Sequence, residues 1–133
     1  MKKYILLFIL VISITASYAK DHDQTKPEQD IKVPYRIFDT KNMYTKIALN
    51  TINGKVYQVH FSTKNDGFSG ILPINENSLL AEHPSQIGRF TLYETDNMYS
   101  FILVDQISGR FWQAQWSHDK DTRFILSLLL KDE

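Results

Sequence analysis

The sequence predicts an all-β fold of about eight antiparallel strands, in two tandem four-strand repeats that form a sandwich or barrel with approximate two-fold symmetry. Three observations support this prediction. First, residues 35–62 match residues 90–117 at an offset of 55, and nine of the 28 aligned pairs are identical. Chance matching would give about one or two identities. Second, apolar and polar residues alternate along several short segments, as in half-buried strands. Third, no long segment after residue 33 has the period of an amphipathic helix.

The chain begins with the three-part pattern of a secretory signal peptide. Lys2 and Lys3 precede the apolar run 4–14, and the small residues 16–19 predict a signal peptide of residues 1–19. The apolar run is shorter than the roughly 20 residues that span a bilayer. We therefore expect an exported protein, periplasmic or extracellular, with no membrane span after cleavage.

The cysteine count, length and net charge exclude several classes of protein. The chain has no cysteine, which excludes a lipoprotein anchor and disulfide bonds. Removing 19 residues from 133 leaves 114, the size of one domain. Without Lys2 and Lys3, 13 basic residues face 15 acidic ones, a net charge near −2. This balance gives no general attraction for nucleic acid.

The element order follows from the repeat. Residues 20–32 are charged and nearly devoid of apolar side chains, which predicts a flexible leader. A single β domain, 33–133, then comprises repeat 1 (35–76), a linker (77–88) and repeat 2 (89–131). The predicted strands are 35–40, 45–50, 55–62 and 68–74 in the first repeat, and 90–95, 100–105, 110–117 and 123–130 in the second.

The third strand of each repeat follows a hairpin and shows the clearest alternation. Gly54 and Gly109 occupy the hairpin position that needs a positive φ. The pattern places two aromatic sets on the core side: Tyr57, Val59 and Phe61 in the first repeat, and Trp112, Ala114 and Trp116 in the second. An alternative makes the two tryptophans, about 13 Å apart on one strand face, an exposed platform for sugar rings or a peptide.

The duplicated polar and aromatic residues are the candidates for ligand binding. Asn at a corner between strands is typical of a turn cap, and a mid-strand Gln can hold a backbone group or a ligand. Both interpretations stay open at this point. The candidate residues are Asn42, Tyr44, Gln58, His60, Asn97, Tyr99, Gln113 and Gln115.

The sequence gives no catalytic or metal motif. The four histidines have no zinc spacing, and the acidic stretch after His118 lacks the EF-hand pattern. There is no Gly-x-Ser-x-Gly elbow, no phosphate-binding loop and no dinucleotide fingerprint. We therefore expect no metal, no cofactor and no enzymatic activity.

The tandem Asn-Met-Tyr and Gly-Arg-x-Trp-Gln-x-Gln-Trp units, which cover most of the mature chain, resemble those of small exported proteins of the Bacteroidetes type. The resemblance implies an exported all-β domain and no activity. The sequence thus favours a non-enzymatic binding module for a glycan, peptide or protein partner. An alternative is an inhibitor or immunity-like protein that covers an enzyme site with an edge strand or a hairpin tip. A third hypothesis is a small hydrolase whose acids converge only in space.

Overall fold

The computed structural model describes residues 33–81 and 84–131. It contains eight antiparallel strands in two four-stranded sheets, each with its strands in chain order. The all-β class and the two tandem four-strand units are confirmed, and the sheets form a sandwich, not a closed barrel. The predicted signal peptide and leader lie outside the described residues.

The strands match the sequence prediction closely. The first sheet contains β1 (Tyr35–Asp39), β2 (Thr45–Asn50), β3 (Val56–His60) and β4 (Gly70–Asn75). The second contains β5 (Phe90–Glu94), β6 (Ser100–Asp105), β7 (Arg110–Gln115) and β8 (Phe124–Leu128). A 3-10 helical turn, Lys120–Thr122, precedes β8 and was not predicted.

The hairpins between the second and third strands of each sheet confirm the role predicted for two glycines. Gly54 has a φ of 75° and Gly109 a φ of 69°, which are left-handed values. The N–H of Gly54 donates to Asn50 O, and the N–H of Gly109 donates to Asp105 O. A side chain at either position would strain the backbone, so glycine closes both turns.

The strand register of the second sheet repeats that of the first. Ile47 pairs with Phe38 and Gln58, while Ile102 pairs with Tyr93 and Gln113, always at the 55-residue offset. Each sheet therefore has two corresponding sides. We call the side that bears Gln58 or Gln113 the glutamine face, and the side that bears Tyr57 or Trp112 the aromatic face.

Unlike faces of the two sheets meet in the core. The first sheet buries its glutamine face, with Ile47, Leu49 and Gln58 almost fully covered. The second sheet buries its aromatic face, including Trp112 and Trp116. A two-fold axis would bring like faces together, whereas these sheets stack head to tail.

This packing corrects one expectation. Tyr57, Val59 and Phe61 were predicted to lie in the core, but Tyr57 and Val59 lie on the outer side of the first sheet and Phe61 is 41% exposed. The reason lies in the neighbouring strands, where Asp39 and Lys46 occupy the aromatic face and form an ion pair. Burying that face would desolvate both charges.

The sheets are aligned strand over strand. β2 contacts β5 and β4 contacts β8, so strands at similar positions in their own sheets lie near one another. The N–H of Phe90 donates to Thr51 O at 2.8 Å, which ties the start of β5 to the end of β2. The core between the sheets consists of Ile47, Leu49, Val56, Ile74, Phe90, Leu92, Phe101, Leu103, Trp112, Ala114 and Trp116.

Candidate functional site

The two Asn-Met-Tyr corners have a structural role. Asn42 Oδ1 accepts from the N–H of Tyr44 at 2.8 Å, and Asn97 Oδ1 accepts from the N–H of Tyr99 at 2.9 Å. Each asparagine thus closes a local turn with its own side chain. The threonine two residues earlier in each repeat donates its hydroxyl to carbonyl groups of the same corner. Turn geometry alone accounts for the duplicated asparagines.

The corners also contact one another, but they enclose little space. Lys41 Nζ donates to Asp96 O at 2.8 Å, which links the first corner to the second. The cavity between them has a volume of about 10 Å³. This volume is about that of one water-sized probe. The tyrosines of the corners, Tyr44 and Tyr99, are exposed and do not line this cavity.

The duplicated glutamines lie in unlike surroundings. Gln58 is fully buried, and its Oε1 accepts from the N–H of Ser117 in the opposite sheet at 3.2 Å. Gln113 is half-buried on the outer side of the second sheet, within 3.5 Å of Gln115 Oε1. Gln115 also donates to Thr122 O. The two sets are therefore not parts of one binding surface.

A larger cleft opens at one end of the sandwich, where the histidines meet. His60 ends β3, and His118 follows β7; their ring centroids are 5.0 Å apart in an edge-to-face arrangement. Phe68 stacks on the other side of His60 at 6.1 Å. The cleft has a volume of about 370 Å³ and is lined by His60, Phe68, Leu72, His118 and Arg123. We call it the histidine cleft.

The histidine rings are positioned by the core beneath them. The edge of the His118 ring meets the ring of Trp116, which is fully buried, at 5.8 Å. His60 Nδ1 lies 3.0 Å from the hydroxyl of the buried Thr45. His60 thus ends a strand, and His118 packs on a core side chain, so the fold itself positions both rings.

The cleft favours negative charge in a ligand. Burial, and secondly the neighbouring His118, lower the pKa of His60, so this ring stays neutral at neutral pH. Arg123 supplies the positive charge. Its Nε and Nη1 atoms are buried and have no hydrogen-bond partner among the described residues. Unpaired buried N–H groups of a guanidinium are costly, and an anion in the cleft would satisfy them once the guanidinium turns its covered edge toward the opening.

Arg123 also borders a second opening, of about 340 Å³, on the other side of its side chain. Asn75, Glu76, Lys120 and Ile125 contribute to this neighbouring space. Sequence reasoning identified His60 but missed Arg123 and His118, because the segment between β7 and β8 that carries them meets His60 only in the folded chain.

A second feature missed from sequence is a buried ion pair next to the linker. Arg89 and Asp105 form two hydrogen bonds, at 2.9 and 2.8 Å, and both side chains are fully buried. Burial alone would raise the pKa of Asp105, but hydrogen bonds from Arg89 and Ser108 hold it well below its usual range. Every carboxylate oxygen is occupied by these partners, so the pair anchors the hairpin and leaves no open position for a ligand.

The described residues contain no group of three or more His, Cys, Asp or Glu side chains placed to hold a metal. Within the same part of the chain, no helix has the length and hydropathy needed to span a membrane. Comparison of the chain with protein-family models, curated proteins and solved structures found no match.

Proposed function

We propose that the protein is a non-enzymatic binding module and that its ligand site is the histidine cleft. The ligand carries a carboxylate next to an apolar ring or chain, as in an acidic glycan or an acidic peptide. The observation that carries the proposal is the pair of buried, unpartnered Arg123 nitrogens at the wall of a cleft that also contains two histidines and Phe68. Aromatic and apolar walls with a few polar groups are typical of ligand sites.

The residues that line the histidine cleft have separate roles in binding the ligand. The Arg123 guanidinium accepts the anion through charge-assisted hydrogen bonds. Phe68, more than half exposed, offers a flat apolar surface at the mouth, and Leu72 lies deeper. His60 and His118 add hydrogen-bonding nitrogens beside the anion. Protonation of His60 at acidic pH adds a positive charge beside a negative ligand group.

Titration calorimetry with oligogalacturonate and Glu-rich peptides, each beside an uncharged counterpart, tests the proposal. We expect binding of the charged ligands only, and an affinity at least about tenfold lower in Arg123→Gln, since a charge-assisted hydrogen bond contributes about 1.5–3 kcal/mol. Lys64→Gln is the matched control, because it removes one exposed positive charge from the β3–β4 loop. Equal affinities for the wild type and Arg123→Gln contradict the proposal.

The alternative of an inhibitor that uses a hairpin tip has less support. In the first hairpin Thr51 and Gly54 are buried, and a side chain at Gly54 would collide with Leu79 and Phe90. In the second hairpin the tip is tied down by Asp105, although Ile107 is exposed. Neither tip is a free projecting loop.

We also propose export with cleavage after Ala19, which rests on the N-terminal sequence pattern alone. Mass spectrometry of the protein recovered from culture medium and periplasmic extract tests it. A first residue of Lys20 is expected. A chain recovered only from the cytoplasm with residues 1–19 intact contradicts export.

A further inference from the structure

The two outer faces of the sandwich are the counterparts of the two faces buried inside it. The first sheet leaves its aromatic face outside, and the second sheet leaves its glutamine face outside. Within the chain, a glutamine face packs on an aromatic face. The same combination of faces is therefore available for contact between two chains.

The outer glutamine face of the second sheet is unusually apolar for a side exposed to water. It bears no charged residue among the described strands, and Tyr93 is 57% and Leu126 54% exposed. A sheet face that is exposed to water normally bears polar side chains. A contiguous apolar area on such a face marks an interaction surface. The face comprises Thr91, Tyr93, Ser100, Ile102, Val104, Phe111, Gln113, Gln115, Phe124, Leu126 and Leu128.

The outer aromatic face of the first sheet is apolar as well. Ile71 is 68% exposed, and Tyr57 and Val59 lie beside it on the adjacent strand. The charges on this face, Asp39 and Lys46, form an ion pair at 2.8 Å at one end of the strands. In a contact between chains the stem of Lys46 would be covered, as its counterpart Phe101 is, while its ammonium stays paired with Asp39 at the strand ends. The remaining apolar members of the face are Tyr35, Ile37, Ala48 and Pro73.

The residues that form one hydrogen bond between the sheets are present in both repeats. Gln58 on the buried glutamine face accepts from the N–H of Ser117. The counterparts at the 55-residue offset are Gln113 and Ser62, which are identical residues. Inside one chain these two lie in different sheets, with Gln113 on an outer face, and they do not meet. A second copy stacked in the same way brings Gln113 of one chain to Ser62 of the next, where Ser62 exchanges its present partner, Ser69 Oγ.

We propose that the chains associate head to tail, with the glutamine face of the second sheet of one copy packed on the aromatic face of the first sheet of the next. The contact joins two unlike faces, and each copy has one outer face of each kind. A row of copies joined in this way always has one unpaired face at each end, unless the row closes into a ring. Four-stranded meanders stacked in this way close as propellers of about 4–8 blades, which corresponds to about two to four copies with two blades each. This assembly is independent of the ligand proposed for the histidine cleft.

Light scattering coupled to size-exclusion chromatography, on the full chain as purified, tests the assembly. We expect one species of two to four times the chain mass. Phe111→Lys places a charge on the outer glutamine face, and Ile71→Lys places one on the outer aromatic face. Each variant alone is expected to be monomeric, with an unchanged circular dichroism spectrum, because both positions are exposed within the chain.

Mixing the two variants separates head-to-tail contact from like-face pairing. Each variant retains the face that the other has lost, so a 1:1 mixture is expected to form a heterodimer through one intact contact and to stop there. A monomeric wild type at all concentrations overturns the proposal. A mixture that stays monomeric, or a single variant that still dimerises through like faces, overturns it too.

A covalent test does not depend on disruptive substitutions. The chain has no cysteine, so Gln113→Cys and Ser62→Cys introduced together give the only two thiols. Because a glutamine side chain spans the proposed contact, a short bismaleimide cross-linker is used to join the two thiols. We expect cross-linked oligomers on a denaturing gel for the double variant, and no species larger than a dimer for Ser62→Cys alone. If the double variant gives only unlinked chains while the wild type is oligomeric, the proposed register is wrong.

Discussion

Gln58 Oε1 accepts a hydrogen bond from the backbone N–H of Ser117 at 3.2 Å, and this contact crosses from the first sheet to the second. Gln58 is fully buried, so its amide has no access to water. The relationship shows why a polar residue occupies the middle of the core: it fixes the position of one sheet on the other. Four predictions follow from contacts of this kind within a single chain.

Gln58→Ala is expected to lower the free energy of unfolding by about 1–3 kcal/mol, since the lost partner of the Ser117 N–H and the cavity left in the core outweigh the removal of the buried, unpartnered Gln58 Nε2. Urea denaturation followed by tryptophan fluorescence measures the change. Gln113→Ala, at the equivalent position on the outer face, is the control and is expected to cost less than about 0.5 kcal/mol in dilute, dissociated protein. Equal losses in both variants contradict the unlike surroundings described here.

Trp116 and Phe61 give a second matched pair. Trp116 is fully buried and donates its indole N–H to Met98 O, whereas Phe61, its counterpart, is 41% exposed. Trp116→Ala is expected to destabilise the fold by about 3–5 kcal/mol through loss of burial and the cavity left behind. Phe61→Ala is expected to cost under about 1 kcal/mol when the chains are separate. Thermal unfolding of both variants measures the two losses of stability. A larger loss of stability for Phe61→Ala than for Trp116→Ala would show that the first sheet, too, buries its aromatic face.

Asp105 makes stability depend on acidic pH. Its pKa is lower in the folded chain than in the unfolded chain, so the unfolded chain takes up the proton first and the stabilisation is lost as pH falls below about 4. Asp105→Asn is expected to flatten the dependence of unfolding free energy on pH between about 5 and 3.

The same variant is expected to lose about 3–5 kcal/mol at pH 7, because Arg89 is left buried without its charged partner. Asp96→Asn, which removes an exposed carboxylate, is expected to change stability at pH 7 by no more than about 0.5 kcal/mol. Urea titrations at several pH values provide both measurements. A stable Asp105→Asn variant with an unchanged acid slope would falsify this role.

His60 is the second titrating group. Its pKa is lowered by burial and, to a smaller extent, by His118. Because the folded pKa lies below the unfolded one, protonation of His60 opposes folding, and its effect appears as pH falls below about 6.5. His118→Gln is expected to raise the His60 pKa part of the way, since the burial remains. Nuclear magnetic resonance titration of the ring protons tests this, and an unmoved His60 pKa shows that the rings are not neighbours in solution.

Much of the fold follows from local sequence signals. Gly54 and Gly109 mark the hairpins, and the 55-residue repeat correctly predicts two sheets with the same strand order. Trp112 and Trp116 are buried as expected, which excludes the exposed platform. These features depend on short-range periodicity and turn chemistry, which a single chain displays directly.

The choice of faces was harder to predict because the strands of this protein are apolar on both sides. In β3, Val56 on one side and Tyr57 on the other both suit a core. Alternation alone does not show which side faces the other sheet, and the prediction chose the side of Tyr57, which is wrong. Lys46 and Asp39 in the paired strands place two charges on the aromatic face, whereas the glutamine face of the same sheet bears one, Arg36, so the charges favour burial of the glutamine face. The Arg123 site was beyond prediction, because its neighbours come from β3, β4 and the segment after β7.

Head-to-tail stacking also means that the order of the two units along the polypeptide decides which residues become the core. In a circular permutant that starts with the second unit and ends with the first, the linking segment would lead from β8 into β1. Phe111 and Val104 would then be sequestered against Tyr57, while Leu49 and Trp112 would turn outward. One pair of building blocks would therefore encode two alternative interiors, selected by the order in which the gene joins them, the second at the cost of covering the Asp39–Lys46 ion pair.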